Sequence, residues 1–345
     1  MSSLKVGKVL ILPDHSSYRE MSTYLREQLG YRSVCLDFGE SSIRSKWVLI
    51  RQLLFGAPKL AARLKNCRHI EQCVIIGHLA FVAKCLRLVG LVSFDRSYCI
   101  AFFLHSHFWI RVARLLLSLD SHTDHYIVFS TAELEFYQRT LGLDASRLHY
   151  MPYGHWSEDI PASQDTKEEC EQLGELGEFY FAGGYTNRDY ASLIECFRNL
   201  PQRLVIICSH LNSDVQDDVL PENIFVLRDV PSATFEAYVK AAKAAIIPLK
   251  RDTGASGQSV LLRLMRDAKP IVVTNNATIR DYVSEHDGAY VIDDIRRDLP
   301  DVISKIERHP DEARRRGLRA RQRYVEKFTR SAMENALSRI LHGAP

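Results

Sequence analysis

Residues 246–274 read IIPLKRDTGASGQSVLLRLMRDAKPIVVT. An apolar run ends at Lys250, a flexible polar segment follows, and Val260, Leu261, Leu264 and Met265 then form a core-facing helical stripe. A second apolar run, Ile271 to Thr274, closes the pattern. Strand, loop, buried helix and strand in about 30 residues make a βαβ unit, in which the two strands lie parallel.

The same alternation extends in both directions from this block. Behind Gly177, strand-like runs stand at Phe179 to Gly183, Leu204 to Ser209, Ile224 to Leu227, Ala244 to Leu249, Ile271 to Thr274 and Ala289 to Asp293. Ahead of it they stand at Val6 to Leu12, Ser33 to Phe38, Cys73 to Gly77, Tyr98 to Leu104, Tyr126 to Ser130 and Leu148 to Pro152. Two sets of strands alternating with helices predict an α/β chain of two Rossmann-like parallel-sheet domains. With 345 residues the chain is also too long for one ordinary core. The expected division is 1–155, a polar linker at 156–177 carrying Pro161 and the acidic Glu168, Glu169 and Glu171, a second domain at 178–328, and a C-terminal helix at 329–345 that crosses back to the first domain.

Composition narrows the class. At 46% hydrophobic and 25% charged residues the chain is neither disordered nor a small disulfide-stapled protein. Residues 1–150 hold 19 Lys and Arg against 12 Asp and Glu, which leaves 26 against 30 for the remainder. A front half at +7 and a back half at −4 is no nucleic-acid signature, but it suits an anionic membrane face or an acidic substrate. The eight cysteines (35, 67, 73, 85, 99, 170, 196 and 208) form no CxxC pair and are expected as free thiols in a reducing compartment. MSSLKVGKVLIL runs straight into a strand, unlike a signal peptide. The longest apolar run, Cys73 to Ala83, is too short to span a bilayer, which takes about 20 residues. A cytoplasmic protein is expected, with a peripheral position on the inner membrane face as the alternative.

Two loops carry anion-binding chemistry. In FAGGYTNRDY, residues 181–190, a strand ends in Gly183 and Gly184, and Arg188 follows just before a helix. Glycines let backbone amides approach an anion, and an arginine grips two phosphate oxygens at once. In the second loop the amides of Gly257, Gln258 and Ser259, the hydroxyls of Ser256 and Ser259, and the positive end of the following helix favour a phosphate. Read structurally, Ser256 would be only an N-cap and Arg188 would pair with Asp189. GxGxxG after the first strand, GxxxxGK[ST], HExxH and GxSxG are all absent, which disfavours nicotinamide enzymes, P-loop NTPases, zincins and α/β-hydrolases. His105 and His107 form an HxH without a third ligand at useful spacing, so no metal is expected.

These residues carry a family resemblance. The GGxxxRD loop at 183–189, the block SGQSVLLRLM…KPIVVT at 256–274, and Thr278 to Tyr282 with Gly288 resemble the nucleotide-sugar domain of retaining GT-B glycosyltransferases, near glycosyltransferase family 4. The front half is similar more loosely, through FLHSHFW, VFSTAELEFYQRTLGL and the phrase MPYGH at 151–155. The resemblance implies two domains facing across a cleft and transfer of a sugar from an NDP-sugar to an acceptor hydroxyl, with retention and without metal or other cofactor. It assigns Arg188 and Lys250 to the donor diphosphate, the loop Ser256 to Ser259 with Gly183 and Gly184 to donor binding, and His105 to the sugar. One departure stands out, because the family's E-x7-E element, whose later carboxylate binds ribose, falls on Ala255 and Arg263. Ribose must then be held by Asp267 or another carboxylate, or the site is silent.

Residues 43–65, IRSKWVLIRQLLFGAPKLAARLK, carry Trp47, Ile50 and Leu54 on a helical stripe among Arg44, Lys46, Arg51, Lys59, Arg63 and Lys65. Such a stripe suits either an anionic interface, and with it a lipid-linked acceptor, or an ordinary core-facing helix pair. The leading expectation is a glycosyltransferase whose partners are an NDP-sugar donor and a glycan, lipid-linked or small-molecule acceptor. A catalytically silent GT-B scaffold and a nucleotide-sugar epimerase are the alternatives.

Overall fold

The computed structural model describes residues 6–13, 19–36, 55–64, 69–101, 107–119, 124–154, 176–210, 212, 214–216, 220–250 and 256–343. The chain divides into two compact units, Met1–Met151 with Glu334–Pro345, and Pro152–Met333.

The first unit is built on β1 (Val6–Pro13), α1 (Arg19–Glu27), β2 (Arg32–Leu36), α2 (Ala57–Leu64), β3 (His69–Ile76), α3 (Leu79–Leu88), β4 (Ser93–Ile100), α4 (His107–Leu119), β5 (Asp124–Val128), α5 (Thr131–Leu141) and β6 (Leu148–Tyr150). Its six strands are all parallel, in the order β2-β1-β3-β4-β5-β6. One face buries Val9, Ile11, Cys73, Ile75, Cys99 and Tyr126 beneath α2 to α5. On the other face Tyr31 donates to Gln72 Oε1 at 2.7 Å, and Gln72 Nε2 donates to the carbonyl of Leu341 at 2.6 Å. The described part of the basic stretch at 43–65 is confined to Phe55–Leu64; Trp47, Ile50, Leu54, Arg44, Lys46, Arg51 and Lys65 lie outside the described residues.

The second unit contains β7 (Phe179–Gly183), α6 (Tyr190–Arg198), β8 (Arg203–Cys208), β9 (Ile224–Arg228), α7 (Ser232–Ala241), β10 (Ala244–Ile247), α8 (Gln258–Arg266), β11 (Ile271–Thr274), β12 (Ala289–Ile292), α9 (Ile295–Arg308) and α10 (Pro310–Lys327); a last helix, α11 (Arg330–His342), follows. Its sheet is again wholly parallel, ordered β12-β11-β10-β7-β8-β9. Period-two burial separates the faces. Phe179 and Phe181 pack under α7, α8 and α10, while Tyr180 and Ala182 pack under α6 and α9. Val260, Leu261, Leu264 and Met265 are buried as their spacing predicts. The six free cysteines among the described residues are buried or half-buried.

One polar cluster lies within the first core. Asp124, at the start of β5, receives Arg87 Nη1 at 2.9 Å and Nη2 at 3.1 Å, and is also bonded by Lys84 and Ser97. Despite burial, these cations hold its carboxyl well below the ordinary carboxylate range. A depressed native pKa stabilises the fold above the unfolded value of about 3.9, and that stabilisation disappears as pH falls through the native value. Asp124→Asn is expected to cost about 3–5 kcal/mol near neutral pH, because two buried cations lose their counter-charge. Urea denaturation across pH should show the variant losing less stability than the parent between pH about 5 and 3; parallel acid profiles would remove Asp124 as the cause.

Candidate functional site

In a sheet ordered β12-β11-β10-β7-β8-β9, the chain leaves β7 toward one edge and returns at β10 toward the other. Ligands of such sheets bind outside the carboxyl ends of the strands at this reversal. Both anion-suited loops lie there, since one follows β7 and the other follows β10. β7 and β10 pair directly, Ala245 opposite Phe181 and Ile246 opposite Ala182, and beyond the strands a separate antiparallel bridge joins Arg188 to Leu249.

The first loop is shaped by Gly184, whose φ of +118° puts it in a region L side chains rarely adopt. A Cβ there would lie 2.4 Å from Arg188 Nη2, so the guanidinium rests on the bare glycine. Buried Tyr190 holds the turn from below, its hydroxyl donating to the Gly184 carbonyl at 2.7 Å. Arg188 is 4% exposed. Its Nε donates to the Gly183 carbonyl at 3.0 Å and Nη1 to the Thr186 carbonyl at 2.6 Å. Asp189 does not pair with it; that carboxylate caps α6 by accepting from Ser192 N at 3.1 Å. Among the described residues Arg188 has no carboxylate partner, and burial pushes its pKa down from the arginine value.

The second loop opens α8. Its N-cap is Gly257, at φ +93°, with no side-chain cap bond. The structure corrects the N-cap reading of Ser256: its hydroxyl accepts from Asn187 Nδ2 at 3.0 Å instead. Without a capping side chain, the first amides of α8, at Gln258 and Ser259, keep the position an anion takes at a helix start. Gln258 is buried and its Nε2 donates to the Thr278 carbonyl at 3.4 Å; Ser259 is half-buried. Lys250 is pinned through its backbone, with N donating to the Asn187 carbonyl at 3.1 Å and its own carbonyl accepting from Asn276 Nδ2 at 3.0 Å. Its side chain is 54% exposed, with Nζ 3.6 Å from Asp214. Gly183, Gly184, Arg188, Lys250, Ser256, Gly257, Gln258 and Ser259 thus belong to one end of one sheet. His105 lies outside the described residues, as does His107 as a side chain, and among the described residues no group of three or more His, Cys, Asp or Glu is placed to hold a metal ion.

Three residues that bind the loops together carry no motif. Asn187, at φ +56°, reaches from the first loop to Ser256 and to the Lys250 carbonyl. Thr274, at the end of β11, accepts from Leu249 N at 2.7 Å. Asn276 holds the Lys250 carbonyl from β11's side. An Asn three residues after Gly183-Gly184 is the only hint in the sequence, because asparagine tolerates the left-handed region better than most residues.

No protein-family model matches the chain, and no curated protein matches it in sequence. Solved structures do match along its length. Sucrose-phosphate synthase from Thermosynechococcus elongatus superimposes with a TM-score of 0.74 at 15% identity, over 98% of this chain and 100% of that one. Anabaena HepE in complex with UDP-glucose gives 0.73 at 13% identity, over 97% and 99%. Trehalose 6-phosphate synthase from Burkholderia multivorans gives 0.68 at 12% identity, over 98% and 97%. The fold is GT-B.

Against the GT-B pattern, the position of the later acid of the E-x7-E element is filled by Arg263, and Ala255 lies outside the described residues. Arg263 Nε lies 2.7 Å from Glu236 on α7, and its guanidinium stacks 5.1 Å from the Phe235 ring centre. Asp267 caps the far end of α8, about 15 Å from Gly257 at 1.5 Å per residue, where Arg266 engages it at 3.0 Å.

Gly184→Ala tests the first loop. The substitution forces φ or the guanidinium to move and is expected to cost about 1–3 kcal/mol by chemical denaturation. An alanine variant as stable as the parent would show that Arg188 does not rest on this turn.

Proposed function

We propose that the protein is a glycosyltransferase that moves a sugar from a nucleoside diphosphate-sugar to an acceptor hydroxyl. The observation that carries this reading is Arg188, a buried guanidinium without a carboxylate partner among the described residues, set beside a glycine turn and an uncapped helix start. A buried cation that lacks protein counter-charge is stabilised by an anion, and the diphosphate of a nucleotide sugar supplies one.

Each residue then has a task. Arg188, the amides of Gln258 and Ser259, and the hydroxyl of Ser256 hold the diphosphate, and the exposed Lys250 swings onto it. As the bond from the sugar C1 to the diphosphate oxygen breaks, these donors take up the growing negative charge, so the reading needs no metal. The acceptor oxygen bonds C1 from the face the diphosphate leaves, which retains configuration, and its proton passes to the departing diphosphate. The N-terminal unit is assigned to the acceptor, a glycan, a lipid-linked saccharide or a small molecule. HepE, with its bound UDP-glucose, makes uridine diphosphate the first probe.

A second reading has its own observation. Arg263 is locked onto Glu236, so the described part of α8 offers ribose no unpaired carboxylate, and a nucleotide-binding protein without turnover would tolerate this.

Thermal unfolding with UDP, GDP, dTDP and ADP separates these readings. The matching nucleotide should stabilise the protein by about 2.7 kcal/mol at a hundredfold excess over its dissociation constant. Lys250→Ala, an exposed truncation that leaves the fold intact, should weaken that nucleotide roughly 10- to 100-fold, the worth of one charged hydrogen bond. Arg188→Ala should abolish it. Stabilisation without consumption of the corresponding nucleotide sugar favours the silent reading; stabilisation by none of the four overturns both.

A further inference from the structure

Five large apolar side chains of the first unit stand in solvent at one end of two neighbouring helices. At the end of α3 and just beyond it these are Leu88, Val89 and Leu91, at 39%, 68% and 54% exposure; on α4 they are Leu115 and Leu119, at 59% and 60%. Their proximity follows from the fold. Each helix runs from the carboxyl end of one parallel strand back to the amino end of the next, so both end at the same edge of the sheet. Lys84 and Arg87 of α3 also line one small cavity together with Leu116 and Leu117 of α4, which places the last turns of the two helices side by side.

The charge around this edge is net positive. Residues 55–119 contain nine Lys and Arg against only Glu71 and Asp95, and α2, α3 and α4 contain no acid at all. Lys84 and Arg87 are committed to Asp124, but Arg96, Arg111 and Arg114 are exposed. Exposed leucines and valine flanked by unbalanced arginines fit a surface that is both apolar and anionic. A second copy of the chain fits poorly, because a symmetric contact would set this cationic edge against itself.

We propose that the end of α3 and α4 docks the protein on an anionic lipid bilayer, inserting Leu88, Val89, Leu91, Leu115 and Leu119 at the headgroup–acyl boundary while the arginines meet lipid phosphates. No described helix is long and apolar enough to cross a membrane, so the contact is interfacial. The surface lies in the first unit and does not depend on the reading of the site after β7 and β10.

Flotation of the full chain with vesicles tests this. Binding is expected to vesicles with about one-third phosphatidylglycerol, and to be several-fold weaker on phosphatidylcholine alone or in high salt. Val89→Ser/Leu115→Gln/Leu119→Gln changes only exposed positions and should lower partitioning on the order of tenfold or more, given the apolar area removed. Arg111→Glu should lower it about fivefold or more. Thermal unfolding of each variant at the parental midpoint confirms the fold, and the nucleotide response remains as in the parent whether or not lipid binds. Failure of the parent to float with anionic vesicles, or flotation of the triple variant at the parental level, overturns the proposal. So does a parent dimer in light scattering that the triple variant loses, since the edge would then belong to a second copy.

Discussion

The direct pairing of β7 with β10 is the contact on which the second unit's chemistry depends. Two segments about sixty residues apart in sequence, 183–189 and 248–250, become neighbours only because these strands are adjacent where the sheet order reverses. Parallel pairing also sets the polarity, since it brings both loops to the same end of the sheet. Asn187 and the Arg188–Leu249 bridge then convert adjacency into a fixed geometry. An anion site made of amides needs such rigidity, because a loop free to rearrange would turn its N–H groups to solvent.

Charge burial is handled in two ways in the two units. In the first, Lys84 and Arg87 converge on Asp124, and their charge is offset by protein. In the second, Arg188 is equally buried yet among the described residues it donates only to carbonyl oxygens. Desolvating a guanidinium without a counter-ion is expensive, and nothing in packing alone requires an arginine over Gly184. The first arrangement is explained by stability; the second suits the anion that the proposed function supplies.

Strands were legible in the sequence wherever burial on both faces demanded continuous apolar runs, as at Phe179 to Gly183 and Ile271 to Thr274, which the structure matches residue for residue. They were less legible at sheet ends. β3 begins at His69 and β4 at Ser93, earlier than the apolar runs, because Glu71, Gln72, Asp95 and Arg96 join the ladder while facing solvent or polar partners. The glycine loops and Arg188 could be read because their residue types carry the chemistry locally. Asn187, Thr274 and Asn276 could not, since each acts on a partner supplied by another strand. The alternative reading of Ser256 as only a cap fails for the same reason: its partner, Asn187, is 69 residues away.

The replacement of a carboxylate by Arg263 is a change of sign on α8 that the neighbouring helix absorbs. Glu236 on α7 is 6% exposed and lies between Arg263 and Arg266, while Asp267 engages Arg266 again, so two arginines and two acids balance. In place of the carboxylate that the resemblance puts at position 263 there is a guanidinium, and the acid nearest to it, Glu236, belongs to the preceding helix and is covered by that guanidinium. Hydrogen-bond polarity at that point is reversed, because a carboxylate accepts from sugar hydroxyls and a guanidinium only donates to them. A hydroxyl accommodates either arrangement by turning its proton. On the proposed function, a nucleotide is compatible with this helix without the acid, provided that the diphosphate contacts proposed for Arg188, Gln258 and Ser259 carry the larger share of the binding.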